Sequence, residues 1–323
     1  MVTGGAGYIG AHVVRLLQAR GDEVVVVDDL VTGNAQRVGA APLVQLDLAA
    51  DRAADRVEQV LREHRVDAVV HFAARKQVGE SVERPAWYYQ QNVGALANVL
   101  LATKAAGVGR LVFSSSAAVY GATNGLDPVA ETSPTVPVSP YGETKLVGEW
   151  LVAAATRADA LSAASLRYFN VAGAGWPELG DSAVLNLVPM VLERLDAGAA
   201  PIIFGADYDT PDGTCVRDYV HVLDLAEAHL AVLDSLTEPG HRILNVGTGT
   251  GSSVRQVIDA ILAVSGATLT PTVTARRPGD PASVVASVEA IRAEIGWTAR
   301  LGLADIVSSA WEAHQAAATR RGE

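Results

Sequence analysis

The chain has 323 residues, of which 49% are hydrophobic, and a formal net charge of −11 at pH 7. This composition allows one large α/β domain or a large domain with a smaller appended one. The acidic balance, without a long basic run, argues against nucleic acid as a partner. The single cysteine, Cys215, excludes an internal disulfide framework, so we expect a cytoplasmic location.

The start of the chain is short for the fold that follows it. No apolar run reaches the length of a membrane span, and Met1 leads into a glycine-rich segment with no signal segment, so we expect no membrane association. Only Met1-Val2-Thr3 precede Gly4, whereas the first strand of a dinucleotide-binding unit normally has four or five apolar residues. We therefore expect that a few residues are missing here and that this strand is shortened.

Short apolar runs alternate with helical stretches up to about residue 170, as expected for a parallel sheet covered on both faces. The predicted strands are Glu23–Asp28, Leu43–Asp47, Ala68–Phe72, Leu111–Ser114 and Ser165–Tyr168. The predicted helices are Tyr8–Arg20, Asp51–His64, Val93–Ala106 and Tyr141–Thr156. The sequence therefore predicts an α/β, Rossmann-like, doubly wound parallel sheet in residues 1–175.

From about Trp176 the pattern loosens into loops rich in Gly, Pro and Asp. Helical segments are predicted near Asn186–Asp196, Asp224–Leu236, Val254–Val264 and Leu303–Thr319. We expect residues 176–323 to form mainly a smaller substrate-binding lobe, with some of the chain crossing back to the first domain.

Gly4, Gly7 and Gly10 lie where the first strand should turn into the first helix. Glycines there permit a tight turn and let the backbone approach a pyrophosphate at the positive end of the helix. Such a turn can also merely pack a strand against a helix. Asp28 ends the second predicted strand, where a carboxylate accepts from a ribose 2′-hydroxyl and repels a 2′-phosphate. The pattern predicts a dinucleotide site that favours NAD over NADP.

Tyr141 and Lys145 are four residues apart, so one helical turn places the phenol and the ammonium on the same face. A tyrosine that acts as a base near neutrality needs its pKa lowered by about three units, or about 4 kcal/mol. A cation about 4 Å away supplies this only in a partly dry cleft. With Ser116 upstream, we predict proton transfer beside an oxidised dinucleotide, with Lys145 lowering the pKa of Tyr141. The alternative is a solvated pair on an amphipathic helix.

Ordered segments along the chain carry a resemblance to a known family: Thr3–Gly10, His71–Lys76, Phe113–Gly121, Ser139–Lys145, Arg167–Asn170, Gly213–His221 and Arg276–Asp280. They resemble the motifs of the UDP-glucose 4-epimerases, within the extended short-chain dehydrogenase/reductase superfamily. The resemblance covers nearly the whole chain. It implies an enzyme that interconverts UDP-glucose and UDP-galactose through a 4-keto intermediate, with tightly bound NAD.

The resemblance implies that Ser116, Tyr141 and Lys145 are catalytic, with Tyr141 taking the proton of the sugar 4-hydroxyl. The cofactor-binding residues that it implies are Gly4, Gly7, Tyr8, Ile9, Gly10, Asp28, Asp29, Asp47, Leu48, Phe72, Ala73, Ala74, Lys76, Asn92, Ser114, Tyr141, Lys145, Tyr168 and Phe169. The substrate-binding residues that it implies are Lys76, Ser116, Tyr141, Asn170, Asn186, Leu187, Ile203, Phe204, Arg217, Arg277 and Asp280. No metal is expected.

Within the substrate set, the resemblance implies that Arg217 and Arg277 face the diphosphate, where a planar guanidinium donates two parallel bonds. The resemblance also implies that Asp280 contacts the uridine ribose, and Phe204 could line the uracil pocket. Surface salt bridges are the alternative for both arginines. Core packing is the alternative for Phe204.

Two other classes of function stay open. A nucleotide-sugar dehydratase or decarboxylase, for example one acting on UDP-glucuronate, would belong to the same superfamily. Dehydratases usually carry an acid next to the catalytic serine or threonine, whereas Ala117 and Ala118 follow Ser116 here. A non-catalytic NAD-binding regulator would commonly lack the intact Tyr141 and Lys145 pair.

One departure from the family pattern bears on the sugar. Epimerases confined to unmodified sugars commonly carry a tyrosine four residues after the aspartate at position 280, and Val284 stands there. A smaller side chain leaves room for a 2-acetamido group, so we expect UDP-N-acetylhexosamines to be accepted as well. The resemblance also implies a homodimer that pairs through the helices around Val93–Ala106 and Tyr141–Thr156.

Overall fold

The computed structural model describes residues 1–122, 127–277 and 279–322. Its strands are β1 (Val2–Thr3), β2 (Val26–Asp28), β3 (Leu43–Gln45), β4 (Ala68–His71), β5 (Arg110–Ser114), β6 (Ser162–Tyr168), β7 (Asn170–Ala172), β8 (Ile202–Phe204), β9 (Val216–His221), β10 (Gly240–Val246), β11 (Gly251–Ser253), β12 (Thr272–Thr274) and β13 (Ser283–Val284). Its α-helices are α1 (Tyr8–Arg20), α2 (Ala53–Glu63), α3 (Val78–Glu83), α4 (Pro85–Tyr89), α5 (Ala95–Ala106), α6 (Pro140–Ala158), α7 (Leu187–Asp196), α8 (Val222–Asp234), α9 (Val254–Ser265), α10 (Glu289–Ile295) and α11 (Leu303–Gly322).

Two compact units divide the chain, and neither is a continuous stretch of sequence. The first consists of Met1–Gly121, Pro134–Tyr168 and Ala226–Leu244. The second consists of Ala122–Ser133, Phe169–Leu225 and Asn245–Glu323.

A seven-stranded sheet in the order β10-β6-β5-β4-β1-β2-β3 organises the first unit. The neighbours from β6 to β3 pair in parallel, for example with Val2 of β1 opposite Val26 of β2 and Val70 of β4. Parallel strands need crossover connections, which the helices between them supply. The predicted Rossmann-like parallel sheet is confirmed.

The core of the first unit joins apolar strand residues to the apolar faces of α2, α5 and α6. Val27, Val69 and Leu111 from the strands pack with Leu61 and Leu96 from the helices. Because both faces of a parallel sheet are covered, its strands read as continuous apolar runs rather than as alternating patterns. This core fixes the edge of the sheet where β1, β2, β4 and β5 end.

The second unit contains short strands that the sequence analysis did not predict. A four-stranded sheet joins β11, β9 and β13, with β7 also paired to β9, and a separate parallel pair joins β12 to β8. Its apolar core includes Ile203, Ile258, Ile261 and Ile306. The expectation of only loops and helices after about Trp176 was therefore incomplete.

Candidate active site

The glycine-rich segment forms a tight backbone turn between β1 and α1. Gly4 has a φ of +67°, a conformation that favours glycine. A Cβ on Gly10 would lie 2.3 Å from the Gly4 carbonyl oxygen, so only glycine allows this approach of strand and helix. Helix α1 begins after Gly7 with no side-chain cap and no acid in its first turn. Its uncapped amides and positive end suit a pyrophosphate, so these residues fit a dinucleotide.

Asp28 stands at the end of β2 beside this turn. Its carboxylate accepts hydrogen bonds from the Ala6 amide at 3.0 Å and from the Leu30 amide at 2.9 Å. Burial raises the pKa of Asp28 above its usual range, while the two amide bonds act in the opposite direction. A carboxylate has about four acceptor positions, so two remain for a ribose diol.

An ion pair that the sequence analysis did not include lies next to Asp28. The Arg75 guanidinium contacts the Asp29 carboxylate at 2.5 Å and the Gln91 side-chain oxygen at 2.9 Å. It links the segment after β2 to the segment after β4. Asp29 was predicted to bind the cofactor, and in the structure its carboxylate is paired with Arg75.

Ser114 ends β5, Ser115 and Ser116 follow it, and each side chain has a different partner. The Ser114 hydroxyl donates to the Tyr168 oxygen at 3.1 Å. The Ser116 oxygen accepts from the Ala118 amide and caps a short 3₁₀ turn over Ala117–Tyr120. The Ser116 side chain also interacts with the Tyr141 phenol and favours its phenolate. This interaction joins two of the predicted catalytic residues.

Helix α6 carries the Tyr141 and Lys145 pair. It begins at Pro140, and the Ser139 oxygen caps it by accepting from the Gly142 amide at 3.2 Å. The first turn therefore contains Tyr141, and Lys145 follows one turn later. Both side chains are buried, and the Lys145 nitrogen lies 5.9 Å from the Tyr141 ring centroid. The ammonium donates to the Ser114 carbonyl oxygen at 2.7 Å.

The pKa shifts of this pair correct one prediction from the sequence. Burial raises the pKa of the Tyr141 phenol well above its usual range, while the nearby Ser116 side chain acts in the opposite direction. Burial lowers the pKa of Lys145 to about 8, against the charge of Glu149. The expected lowering of the Tyr141 pKa by Lys145 is wrong here, because loss of solvation outweighs the favourable interactions of the phenolate.

The other predicted cofactor residues have varied surroundings. Asn92 is buried and donates to the Arg75 carbonyl and the Thr144 hydroxyl. Leu48 is part of the apolar core of the first unit, whereas Asp47 and Lys76 are exposed. The remaining predicted cofactor residues lie in three places. Tyr8 and Ile9 are in the first turn of α1, Phe72, Ala73 and Ala74 directly follow β4, and Phe169 directly follows β6.

In the second unit, the predicted substrate residues form two contacts. The Arg217 guanidinium, on β9, lies 3.4 Å from the Asp280 carboxylate. The Arg277 guanidinium lies 3.9 Å from the centroid of the Phe204 ring, at the end of β8. Pro278, which belongs to the Arg276–Asp280 motif, lies outside the described residues. Phe204 is partly exposed, so its ring is not simply core.

The remaining predicted substrate residues are less closely grouped. Asn170 lies on β7 opposite Tyr219 of β9. Asn186 is exposed, and its amide donates to Asp181 at 3.3 Å. Leu187 and Ile203 pack in the apolar core of the second unit.

The sequence analysis missed a buried ion pair between Glu149 on α6 and Arg167 on β6. Their side chains contact each other at 2.6 Å and are 2% and 4% exposed, respectively. The signal in the sequence was the spacing, because Glu149 follows Lys145 by one helical turn.

Two features are absent from the described residues. Among the described helices, none has the length and apolar character that crossing a bilayer requires. The described part of the chain also has no cluster of three or more His, Cys, Asp or Glu side chains that could hold a metal ion.

Known proteins similar to this chain point to one family. A model described as the NAD dependent epimerase/dehydratase family matches residues 1–247. A UDP-glucose 4-epimerase of Azospirillum brasilense is 44% identical over 321 residues, covering 97% of this chain and 91% of the relative. One from Corynebacterium glutamicum is 44% identical over 316 residues, covering 96% and 94%.

Solved structures agree with these relatives. The crystal structure of a UDP-glucose-4-epimerase from Stenotrophomonas maltophila, with bound NAD and formylated UDP-arabinopyranose, superimposes with a TM-score of 0.94 at 40% identity. The match covers 99% of this chain and 98% of that one. The chain therefore belongs to the NAD-dependent epimerase/dehydratase family, and its resemblance to the UDP-glucose 4-epimerases is confirmed.

Proposed function

We propose that this protein interconverts UDP-glucose and UDP-galactose by reversible oxidation at C4 of the sugar, with tightly bound NAD. The observation that carries the proposal is the buried group of Ser116, Tyr141 and Lys145 at the ends of β5 and the start of α6. The relatives named UDP-glucose 4-epimerase, which match nearly the full chain, support the same reaction.

The first unit would hold NAD through the residues at the ends of its parallel strands. The amides after Gly7 suit the pyrophosphate, and Asp28 suits the adenosine ribose and disfavours a 2′-phosphate. When bound, NAD supplies a hydride acceptor for C4 and returns the hydride to either face of the keto sugar. No cofactor is consumed, because no net oxidation occurs.

Residues of this chain would accept the proton of the 4-hydroxyl and later return it. We assign Tyr141 as the group that takes the proton and later returns it, with Ser116 hydrogen-bonded to the phenol and to the same sugar oxygen. Burial disfavours the phenolate, so the cation of Lys145 and the Ser116 hydroxyl are needed to stabilise it. Lys145 is held in place by the Ser114 carbonyl.

The second unit would recognise the nucleotide part of the substrate. We assign Arg217 and Arg277 to the diphosphate, Asp280 to the uridine ribose and Phe204 to the uracil ring. The proximity of Arg217 to Asp280 and of Arg277 to Phe204 supports a common site for these groups. We also propose that UDP-N-acetylhexosamines are accepted, because a valine occupies position 284.

Elimination of water is a poorer fit to the same residues. A departing hydroxyl needs a proton, and the residues that follow Ser116 in its 3₁₀ turn are Ala117 and Ala118. Neither side chain can donate a proton. Epimerisation needs only a base and a hydride acceptor, so it suits this site better than dehydration.

The test uses purified protein and UDP-galactose without added NAD. We expect UDP-glucose, a product of unchanged mass and altered stereochemistry, because NAD stays bound during purification. Tyr141→Phe should lower kcat on the order of a hundredfold or more, since the proton acceptor is lost. Product identification by mass spectrometry and NMR, with kcat for both proteins, is the measurement.

A matched control is Tyr89→Phe. Tyr89 is 37% exposed, and its hydroxyl donates to Glu143 at 3.0 Å in an exposed hydrogen bond, so it is bonded to none of Ser116, Tyr141 and Lys145. This variant should keep wild-type turnover. A product of altered mass would favour a dehydratase or decarboxylase, and full turnover by Tyr141→Phe would favour a non-catalytic role for the pair.

We further propose a homodimer and a cytoplasmic location. Exposed apolar side chains on the helices that the sequence analysis assigned to pairing support the dimer: Leu101 on α5 is 59% exposed and Trp150 on α6 is 61% exposed. The single cysteine, Cys215, which is free and buried, supports a reducing compartment.

A further inference from the structure

A buried charged pair underlies the segment that carries Ser116. Both Glu149 oxygens contact the Arg167 guanidinium, at 2.8 Å to Nε and 2.6 Å to Nη2. Such parallel bonds fix the orientation of a carboxylate more tightly than a single contact does. Taking two charges out of water is costly, so a pair of this kind is weak evidence for stability and invites a functional explanation.

The pair contacts the Ser116 segment on both sides. The Ser115 hydroxyl donates to the Glu149 carboxylate at 2.6 Å, immediately before Ser116. The Arg167 guanidinium donates to the Tyr120 hydroxyl at 3.0 Å, at the far end of the same 3₁₀ turn. Ser116 therefore lies between two residues whose polar groups are bonded to the pair.

The same carboxylate also acts on Lys145. Glu149 lies one turn further along α6, and its negative charge opposes the loss of the lysine proton that burial causes. The other groups that face Lys145 are the Ser114 carbonyl and the Phe113 and Tyr141 rings. His71 is buried and neutral, and the positive charge of Lys145 contributes to lowering its pKa.

We propose that Glu149 is a positioning residue for the epimerase reaction: its carboxylate, bound to Arg167, orients Ser116 through Ser115 and keeps a negative charge facing the Lys145 ammonium. This inference rests on the proposed function. Glu149 need not touch substrate or NAD to act in this way. Tyr120 completes the arrangement by holding the other end of the turn.

The charged and titratable groups around Glu149 make a pH readout specific. Arg167 on β6 is its partner, Lys145 precedes it on α6, and His241 on β10 also senses its charge. Burial lowers the pKa of Lys145 to about 8, and it lowers the pKa of His241 below its ordinary value, away from the alkaline range. We therefore expect kcat to fall at alkaline pH, where Lys145 loses its proton.

The main test is Glu149→Gln, assayed by the conversion of UDP-galactose to UDP-glucose across pH 6 to 10. We expect kcat to fall on the order of tenfold to a hundredfold, because Ser116 loses its support. The alkaline limb should move to lower pH by about one unit, because the negative charge near Lys145 is gone. The KM for UDP-galactose should stay within about twofold of wild type, since Glu149 does not bind the substrate.

Two further variants separate the parts of the proposal. Ser115→Ala removes one bond and keeps the charge, so kcat should fall while the alkaline limb stays at the wild-type pH. Glu149→Asp keeps the charge on a shorter side chain, so the alkaline limb should return toward wild type.

A matched control is Asp224→Asn. Asp224 is a buried carboxylate of the second unit that accepts from the amides of Arg300 and Leu301. The variant should lower the thermal midpoint, as we also expect for Glu149→Gln, but it should leave kcat and the pH limb unchanged.

The possible results distinguish a failure of the proposed function from a failure of the role proposed for Glu149. If wild-type protein does not interconvert the two UDP-sugars, the proposed function fails before this inference is reached. If wild type is active and folded Glu149→Gln keeps its kcat and its alkaline limb, the inference is overturned. If Glu149→Gln does not fold, Ser115→Ala decides, and unchanged kcat in that variant overturns the orienting role.

Discussion

Val284 is the single residue on which the range of accepted sugars depends. It ends the short strand β13 and pairs with Arg217 of β9, one of the residues assigned to the substrate diphosphate. If its small side chain leaves room for a 2-acetamido group, wild-type protein should turn over both UDP-galactose and UDP-N-acetylgalactosamine. Val284→Tyr should lower kcat/KM for the acetylated substrate by tenfold or more, about 1.4 kcal/mol, because the larger ring fills that room.

The comparison between the two substrates supplies the control for Val284→Tyr. Turnover of UDP-galactose should stay within about threefold of wild type, which shows that the variant is folded and keeps its NAD. Absence of any activity of wild-type protein on UDP-N-acetylgalactosamine at high enzyme concentration would contradict the proposed range of sugars.

Single residues also show where sequence reasoning reached its limit. The spacing of Tyr141 and Lys145 predicted a pair on one face of a helix, and α6 carries both side chains in buried positions. The direction of the Tyr141 pKa shift could not be predicted, because it depends on how much solvent the surrounding elements remove. Glu149 was missed for a similar reason: its partners Ser115 and Arg167 come from distant parts of the sequence.

At the scale of elements, long periodic segments were the predictable ones. Helix α1 has the predicted bounds, and the predicted strands of the first sheet lie within three residues of the observed ones. Strand β9 was missed because it contains Arg217 and Asp218, which suggest a loop. Asp218 is buried there because the amides of Thr248, Gly249 and Ala286 donate to its carboxylate. Tertiary hydrogen bonds of this kind leave no local signal in the sequence.

The turn between β1 and α1 gives a test at this scale. A Cβ at Gly10 would lie 2.3 Å from the Gly4 oxygen and 2.9 Å from the Gly5 Cα, and these backbone atoms cannot move without disturbing the turn. Gly10→Ala should therefore lower the free energy of unfolding by about 1–3 kcal/mol and reduce the amount of NAD that copurifies. Urea unfolding and the NAD content of purified protein are the measurements.

Gly79→Ala is the matched control, because a Cβ at this position in α3 would meet nothing within 4 Å. It should leave the free energy of unfolding unchanged or raise it slightly, since alanine favours a helix. Equal stability and equal NAD content for both variants would argue against a close backbone approach at Gly10.

At the scale of the whole molecule, the chain passes between its two units within regular elements. Helix α8 begins in the second unit and has most of its length in the first, while β10 begins in the first unit and ends in the second. Strand β10 is also the outer strand of the large sheet, next to β6. A single cut near residue 175 would therefore remove a strand from the first unit, and the sequence pattern alone gave no sign of which later strand returns.

The proposed homodimer can be tested through the exposed apolar residues on α5 and α6. Trp150 on α6 is 61% exposed and Leu101 on α5 is 59% exposed, and full burial of such a side chain contributes roughly 1.5–3 kcal/mol. Trp150→Glu should shift the protein from dimer to monomer, because an interface would then bury an unpaired charge. Light scattering after size-exclusion chromatography measures the mass directly. Val264→Glu, at an exposed position on α9, should stay dimeric. A monomeric wild type, or a Trp150→Glu variant that remains a dimer, would show that these helices do not form the interface.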